Sequence, residues 1–323
     1  MEATRPPASL SLDMDNQWAY MKTHGDPGWE TYPSYFDLFT PRILNFLDEH
    51  RLKITFFVVG QDAALEKNQA ALKAIAAAGH EIANHSFKHE PWLHLYSEAE
   101  IEADLAAAEE HIYRVTGRQP VGFRGPGYSI STTVLEVLAR RGYLYDGSTF
   151  PTYLGPLARL YYFMTARKLS PEEREQRKKL FGTFRDGLRT NDTYWWRKNG
   201  AALLEIPVTT LPILKLPIHA SYILYLSQFS TRLALGYFKT AMEMCRATGI
   251  QPSILLHPLD FLGSDDGLES LSFFPAMNLP AARKLHVVGE VVRILSEQFT
   301  VFTMQQHALA VTQTARFPVL GLR

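Results

Sequence analysis

Two acids, Asp13 and Asp15, stand one residue apart in Ser11-Leu12-Asp13-Met14-Asp15-Asn16, at the end of a short apolar run. Residues two apart on an extended chain project to one side, so the two carboxylates are forced together. Such a pair repels unless a cation or a shared proton compensates it. Taken alone, it also reads as two solvated acids at a strand end. Two histidines stand four apart in Asn84-His85-Ser86-Phe87-Lys88-His89, and they would meet one metal if the segment turned helically. The metalloprotease pattern needs Glu directly after the first His, and Ser86 stands there instead. Two imidazoles with one carboxylate make a three-ligand site that keeps positions open.

Two further segments bear on the same chemistry. In Phe123-Arg124-Gly125-Pro126-Gly127-Tyr128, Arg124 is able to grip a carboxylate with two prongs, although alone the segment reads as an ordinary strand-to-helix turn. In Ile254-Leu255-Leu256-His257-Pro258 the imidazole follows a strand, which places it at a rim. A lone histidine is otherwise a structural one. Asp146 ends another strand and is placed to orient such a histidine. Together these groups suit amide hydrolysis. A metal polarises the carbonyl and lowers the pKa of water to around 7, a carboxylate takes the proton, fixed donors hold the oxyanion, and a histidine protonates the departing amine near neutral pH.

The elements that must position these residues alternate. Strand-type runs are expected at Ser9–Met14, Lys53–Gly60, Glu81–Asn84, Pro120–Phe123, Tyr143–Asp146, Leu203–Pro207, Ser253–His257 and Thr300–Thr303. Helices are expected between them: Tyr35–His50, Ala63–Ala78 closed by Gly79, Ser97–Thr116 with a Ser97/Glu100 capping box, Ser131–Arg141, and stretches near Thr231–Ala247 and Pro280–Gln298. Such alternation implies a parallel sheet covered by helices. Seven or eight units favour a closed or nearly closed barrel over an open sheet, with reactive groups at the carboxyl ends of the strands. The chain is expected to be a single domain over 1–323. Insertions at the rim are expected at about 150–200, rich in aromatics and carrying the charged run Glu172–Lys179, and at about 208–229.

Composition narrows the function classes. Of 323 residues, Lys plus Arg and Asp plus Glu each number 33, so formal charge is zero, which argues against nucleic acid as a partner. The lone Cys245 has no internal disulfide partner. The greasy stretch Ile206–Leu226 is broken by three prolines, Lys215 and His219, too often for an uninterrupted span. The apolar run after Met1–Ala8 is too short for a secretory leader. A cytoplasmic location is therefore expected, with peripheral contact at the inner membrane surface.

Taken in order, the segments resemble the polysaccharide deacetylases, the NodB-homology or carbohydrate esterase family 4 proteins. The similarity is strongest over Leu10–Gly147 and looser to His257. It rests on Asp13 and Asp15, on His85-Ser86-Phe87-Lys88-His89 with Gly79–Asn84 before it, on Arg124-Gly125-Pro126, on Asp146 and on Leu255-Leu256-His257. The resemblance implies a distorted (β/α)7-type barrel and a metal, usually zinc, held by Asp15, His85 and His89. It implies Asp13 as general base oriented by Arg124, Gly127 and Tyr128 on the oxyanion and substrate side, and His257 as general acid tuned by Asp146. Two departures stand out. Met14 separates aspartates that are usually adjacent, and Gly127 replaces a common aromatic, removing one wall of the sugar pocket.

The expected activity is removal of an N-acyl group, N-acetyl in the first instance, from an amino sugar or glycoconjugate, including a lipid-linked one. Two readings compete. One is an inactive carbohydrate- or lipid-binding protein on the same fold. The other is an iron-dependent oxygenase, since two His and an Asp also suit ferrous iron.

Overall fold

The first strand, β1 (Pro7–Asp13), shows how the sheet is made. In Ser9-Leu10-Ser11-Leu12-Asp13, alternate residues face opposite sides of the strand. Leu10 and Leu12 join the large apolar cluster under the surrounding helices. Ser9, Ser11 and Asp13 take the other side, where Arg124 meets both Ser11 and Asp13. Strand β2 (Thr55–Val58) repeats the rule: Phe56 and Val58 enter the helix-side cluster, and Phe57 enters a smaller inner one. Each fully buried Leu or Phe contributes roughly 1.5–3 kcal/mol. Both faces are thus covered, as a parallel sheet requires.

The structure, a computed structural model, describes residues 5–155, 183–198, 201–314 and 319–321. After β1 come α1 (Gln17–His24), α2 (Phe36–Glu49), β2, α3 (Gly60–Ala64), α4 (Glu66–Ala77) and β3 (Glu81–Asn84). Then follow α5 (Glu98–Thr116), β4 (Gly122–Phe123), α6 (Thr132–Arg140), β5 (Tyr145–Asp146), β6 (Tyr194–Lys198) and β7 (Ala201–Glu205). The chain continues through α7 (Ala220–Ser227), α8 (Thr231–Thr248), β8 (Ser253–Leu256), α9 (Ala281–Gln298), β9 (Thr300–Phe302), α10 (Met304–Thr314) and β10 (Val319–Gly321).

The sheet runs β10-β6-β7-β5-β4-β3-β2-β1-β8, with β9 also on β1. All pairings are parallel except β6 with β7. It is a curled α/β half-barrel, the distorted barrel that the resemblance implies. Between β7 and β8 the pairing is replaced by a bridge: the Thr209 N–H donates to Ser253 O at 3.0 Å, and the Ser253 N–H donates to Thr209 Oγ1 at 2.8 Å. The register aligns Phe123 with Asp146 and Asp146 with Glu205. Carboxyl ends of neighbouring strands therefore meet at one rim.

Three local expectations change. The helix expected over Ala63–Ala78 is two, broken at Leu65, whose φ −84° and ψ 118° are extended. The break lets Asn68 reach back to Asp62, Nδ2 to Oδ1 at 2.7 Å. Tyr194–Lys198, taken with the first insertion on sequence, is a strand in antiparallel register with β7, and its run of aromatics suits that role. The second expected insertion contains helix α7. The run Glu172–Lys179 and the aromatics Tyr161–Phe163 lie outside the described residues. Among the described residues, no helix is long and apolar enough to cross a membrane.

Candidate active site

Asp13 closes β1 and Asp15 follows two residues on. Asn16 caps α1 by accepting the Gln17 N–H, which turns the chain away just past the acids. His85 and His89 lie in the loop after β3. That loop does not turn helically: Ser86 and His89 adopt left-handed backbone, φ 62° and 51°. Side chains hold this shape. Asn84 Oδ1 accepts the Ser86 N–H, and Ser86 Oγ accepts the His89 N–H. The carboxylate of Asp104, from α5, accepts the N–H groups of Phe87 and Lys88.

The result brings Asp15, His85 and His89 together, their ligand atoms all within 4.8 Å of one another. Asp15 Oδ1 lies 2.8 Å from His89 Nε2 and 3.3 Å from His85 Nε2. His85 Nδ1 donates to the Arg124 carbonyl at 2.6 Å. That fixes its tautomer and turns the Nε2 lone pair toward Asp15, the outer contact that a ligating histidine commonly makes. Burial pushes the Asp15 carboxyl up, but the two imidazoles, His89 foremost, hold it well below the usual range. Burial pushes His85 down, and Asp13 and Asp15 pull it above its ordinary value. This field draws positive charge to one point. The donor set, one carboxylate and two imidazoles, fits a divalent first-row metal such as zinc.

Asp13 stands off the trio, its Oδ2 4.0 Å from His85 Nε2. Arg124 occupies it: Nη1 is 2.7 Å from Asp13 Oδ1 and 3.0 Å from Ser11 Oγ. The guanidinium is fully buried, its Nε donates to Gly147 O, and it lies over the Phe57 ring. Beside it, Gly127 has φ +58°, and a Cβ there would sit 2.9 Å from Pro91 Cβ, so both backbone and space favour glycine. The Tyr128 N–H is engaged by Gly125 O, whereas the Gly127 N–H has no acceptor among the described hydrogen bonds. The Tyr128 ring lies 4.7 Å from that of Phe150, tilted by 31°. These rings line a cleft of about 160 Å³ with Gly127, His94 and Arg189.

His257 follows β8 into a short turn. Its Nδ1 lies 3.0 Å from Ser221 Oγ, and its N–H donates to Asp260 Oδ2 at 2.8 Å. Burial pushes the Asp260 carboxyl up and the neighbouring His257 and Ser221 draw it back, so imidazole, hydroxyl and acid lie together. Buried Lys284 anchors the turn through the carbonyls of Leu259 and Leu262. Asp146, expected to tune His257, makes its described contacts elsewhere. Asp146 Oδ1 accepts from Ser148, and its neighbour in register is Glu205. Two buried carboxyls side by side do not both ionise. Burial and the Asp146 charge push Glu205 well above the usual range, and burial raises Asp146 as well. The pair sits behind Arg124, and the acid facing His257 is Asp260.

The sequence reading also passed over several residues at this rim. His219 is 6.1 Å from the His257 ring, and burial pushes its pKa down to about 3. The Tyr35 hydroxyl donates to the Asp15 carbonyl. Tyr20 presents a buried hydroxyl with no hydrogen-bond partner among the described residues, near enough to Asp15 and Asp260 to feel both. Ser221 and Asp260 had one faint signal, the Asp three residues after His257.

Known proteins resemble this chain in sequence over part of its length and in fold over nearly all of it. The family model described as polysaccharide deacetylase matches residues 26–145, a span that holds His85, His89 and Arg124. The peptidoglycan-N-acetylmuramic acid deacetylase of Bacillus subtilis is 37% identical over 111 residues, 34% of this chain and 41% of the relative. A peptidoglycan-N-acetylglucosamine deacetylase of Bacillus cereus is 40% identical over 88 residues, 27% of this chain and 31% of the relative. The chain thus spans less than half the length of these curated relatives. Among solved structures, a chain from Mycobacterium smegmatis assigned to the polysaccharide deacetylases superposes with TM-score 0.64 at 22% identity, covering 99% of this chain and 95% of that one. A probable polysaccharide deacetylase from Pseudomonas aeruginosa PAO1 superposes with TM-score 0.60 at 16% identity, covering 97% and 93%.

Proposed function

We propose, from the premise that this chain belongs to the polysaccharide deacetylase family, that it hydrolyses the N-acyl group, foremost N-acetyl, of an amino-sugar substrate. The observation that carries the reading is the convergence of Asp15, His85 and His89 beside an Asp13 that Arg124 holds apart. A divalent cation held by those three residues, which we take to be zinc, would supply Lewis acidity to polarise the acyl carbonyl and acidify water.

This chain's own residues account for the proton movements. Asp13 takes the proton of the attacking water while Arg124 fixes its orientation. The water oxygen bonds to the carbonyl carbon, and the Gly127 N–H donates to the oxygen that gains charge. His257 carries a proton to the sugar nitrogen as the C–N bond breaks, leaving a free carboxylic acid and an amine. Ser221 and Asp260 keep His257 in place. Tyr128 and Phe150 offer an apolar face to the sugar ring.

The test measures acetate release from N-acetylated amino sugars, as oligomers, polymers and lipid-linked forms. The protein is stripped with a chelator and then reconstituted with zinc. Release that vanishes and returns with the metal is expected. A protein that binds one metal per chain yet releases no acid from any of these substrates would overturn the proposal.

A further inference from the structure

Of the large apolar side chains more than half exposed among the described residues, all but Tyr113 fall in three neighbouring segments. They are Phe184 and Leu188, Ile213 and Leu214, and Phe229 and Leu233, with Ile213 and Phe229 each 77% exposed. Hydrogen bonds tie the segments together. Asn191, just past Leu188, exchanges bonds with the backbone of Thr210, at the base of the turn that carries Ile213. The Tyr237 hydroxyl of α8 donates to Pro217 O at the other base of that turn, and Leu233 lies one helical turn before Tyr237 on the same face. The ridge borders the mouth, because α7, which precedes Phe229, carries Ser221 against His257.

Two more observations say what the ridge meets. Ile213 and Lys215 both hold left-handed backbone, φ 70° and 55°, a strained conformation for a β-branched residue. The turn keeps it while presenting Ile213 and Leu214 outward. From Ile206 to Met242 the chain has no Asp or Glu, but it has Lys215, Arg232 and Lys239. On the first segment Asp186 is bridged to Arg189, and Asp192 stands with Arg185 nearby in sequence, so the apolar tips keep a net positive surround that complements an anionic lipid surface. A second copy of the chain fits poorly, since a two-fold contact would set these cations against themselves.

We propose that this ridge docks the chain peripherally on an anionic lipid bilayer, turning the mouth with His257 toward a substrate carried on lipid. The inference rests on the reading above for its chemistry and adds where the amino sugar is presented.

Flotation of the full chain with vesicles tests it. Binding is expected to vesicles of phosphatidylglycerol with phosphatidylcholine, to be weak to phosphatidylcholine alone, and to fall with added salt. Phe229→Ser with Leu233→Ser should lower partitioning about tenfold or more. Ile213→Ser with Leu214→Ser should do the same, and it carries the test if the first pair impairs folding, as judged by circular dichroism. Equal flotation of wild type and both variants, or none by the wild type, overturns the proposal. So does a dimer in light scattering that the substitutions dissociate. Turnover of a water-soluble N-acetylated sugar should be unchanged in these variants. Its absence in the wild type would sink the catalytic reading and leave the docking result standing.

Discussion

The Arg124 guanidinium meets the Asp13 carboxylate at 2.7 Å, with no part of Arg124 exposed. The carbonyl of the same residue accepts the proton of His85 Nδ1. One residue thus holds the proposed base with its side chain and a metal-ligating candidate with its backbone. Arg124→Met should break the buried pair and destabilise the protein by about 3–5 kcal/mol. Because the carbonyl remains, zinc titration of the folded variant should still reach one ion per chain. Equal thermal midpoints for variant and wild type would refute the first part, and an empty site in folded protein the second.

Asp13 and Asp15 should separate by the same logic. Asp13→Asn keeps the shape and removes the basic oxygen, so turnover should fall by about 10²–10⁴ while metal content holds. Asp15→Asn removes a ligand charge and should weaken metal binding itself. Metal analysis beside an activity assay reads both. The opposite pattern would show that the two roles are reversed.

His257 is held by Ser221 and Asp260 rather than by Asp146. Ser221→Ala and Asp260→Asn should each lower kcat by about tenfold or more, within the 10²–10⁴ expected for loss of a general acid, and change the alkaline limb of the pH–rate profile. KM should move little. Asp146→Asn, which lies behind Arg124, should leave that limb in place. A shifted limb in Asp146→Asn with none in Ser221→Ala would contradict the contacts seen here.

Asp62 gives a pH signature in stability. Burial pushes its pKa up to about 7 from a usual 3.8, against the hydrogen bonds of Asn16 and Trp18. Between those values the folded chain keeps a proton that the unfolded chain has lost. Its contribution is therefore full below the lower value and is lost as pH rises through the upper one. Asp62→Asn retains the acceptor for Asn16, Trp18 and Asn68 and cannot ionise. Urea midpoints in metal-free buffer should fall between pH 4.5 and 8 by less in Asp62→Asn than in the wild type. Parallel curves would dismiss Asp62 as the source.

The site was legible in the sequence where its members share a short stretch of chain. Asp13 with Asp15, and His85 with His89, declared themselves by spacing, and Arg124 by its place after a strand. What escaped was what folding brings from afar. Ser221 reaches His257 from α7 across 36 positions, and no periodicity links the two. The helical turn expected between the histidines gave way to two left-handed residues, because Asn84 and Asp104 supply bonds that outweigh a helix there. Strand β6 was hidden because its aromatics, Tyr194 to Trp196, read equally well as a binding surface.

Asp104 has a consequence of its own. It belongs to a helix outside the barrel and is 6% exposed, yet its carboxylate shapes the loop on which both histidines ride. On the proposed reading the geometry of capture is set before any ion arrives, and the entropy of ordering that loop is spent during folding instead of at binding. Inherited change at Asp104, remote from ion and sugar alike, would surface as a defect in metal retention with the ligands themselves intact.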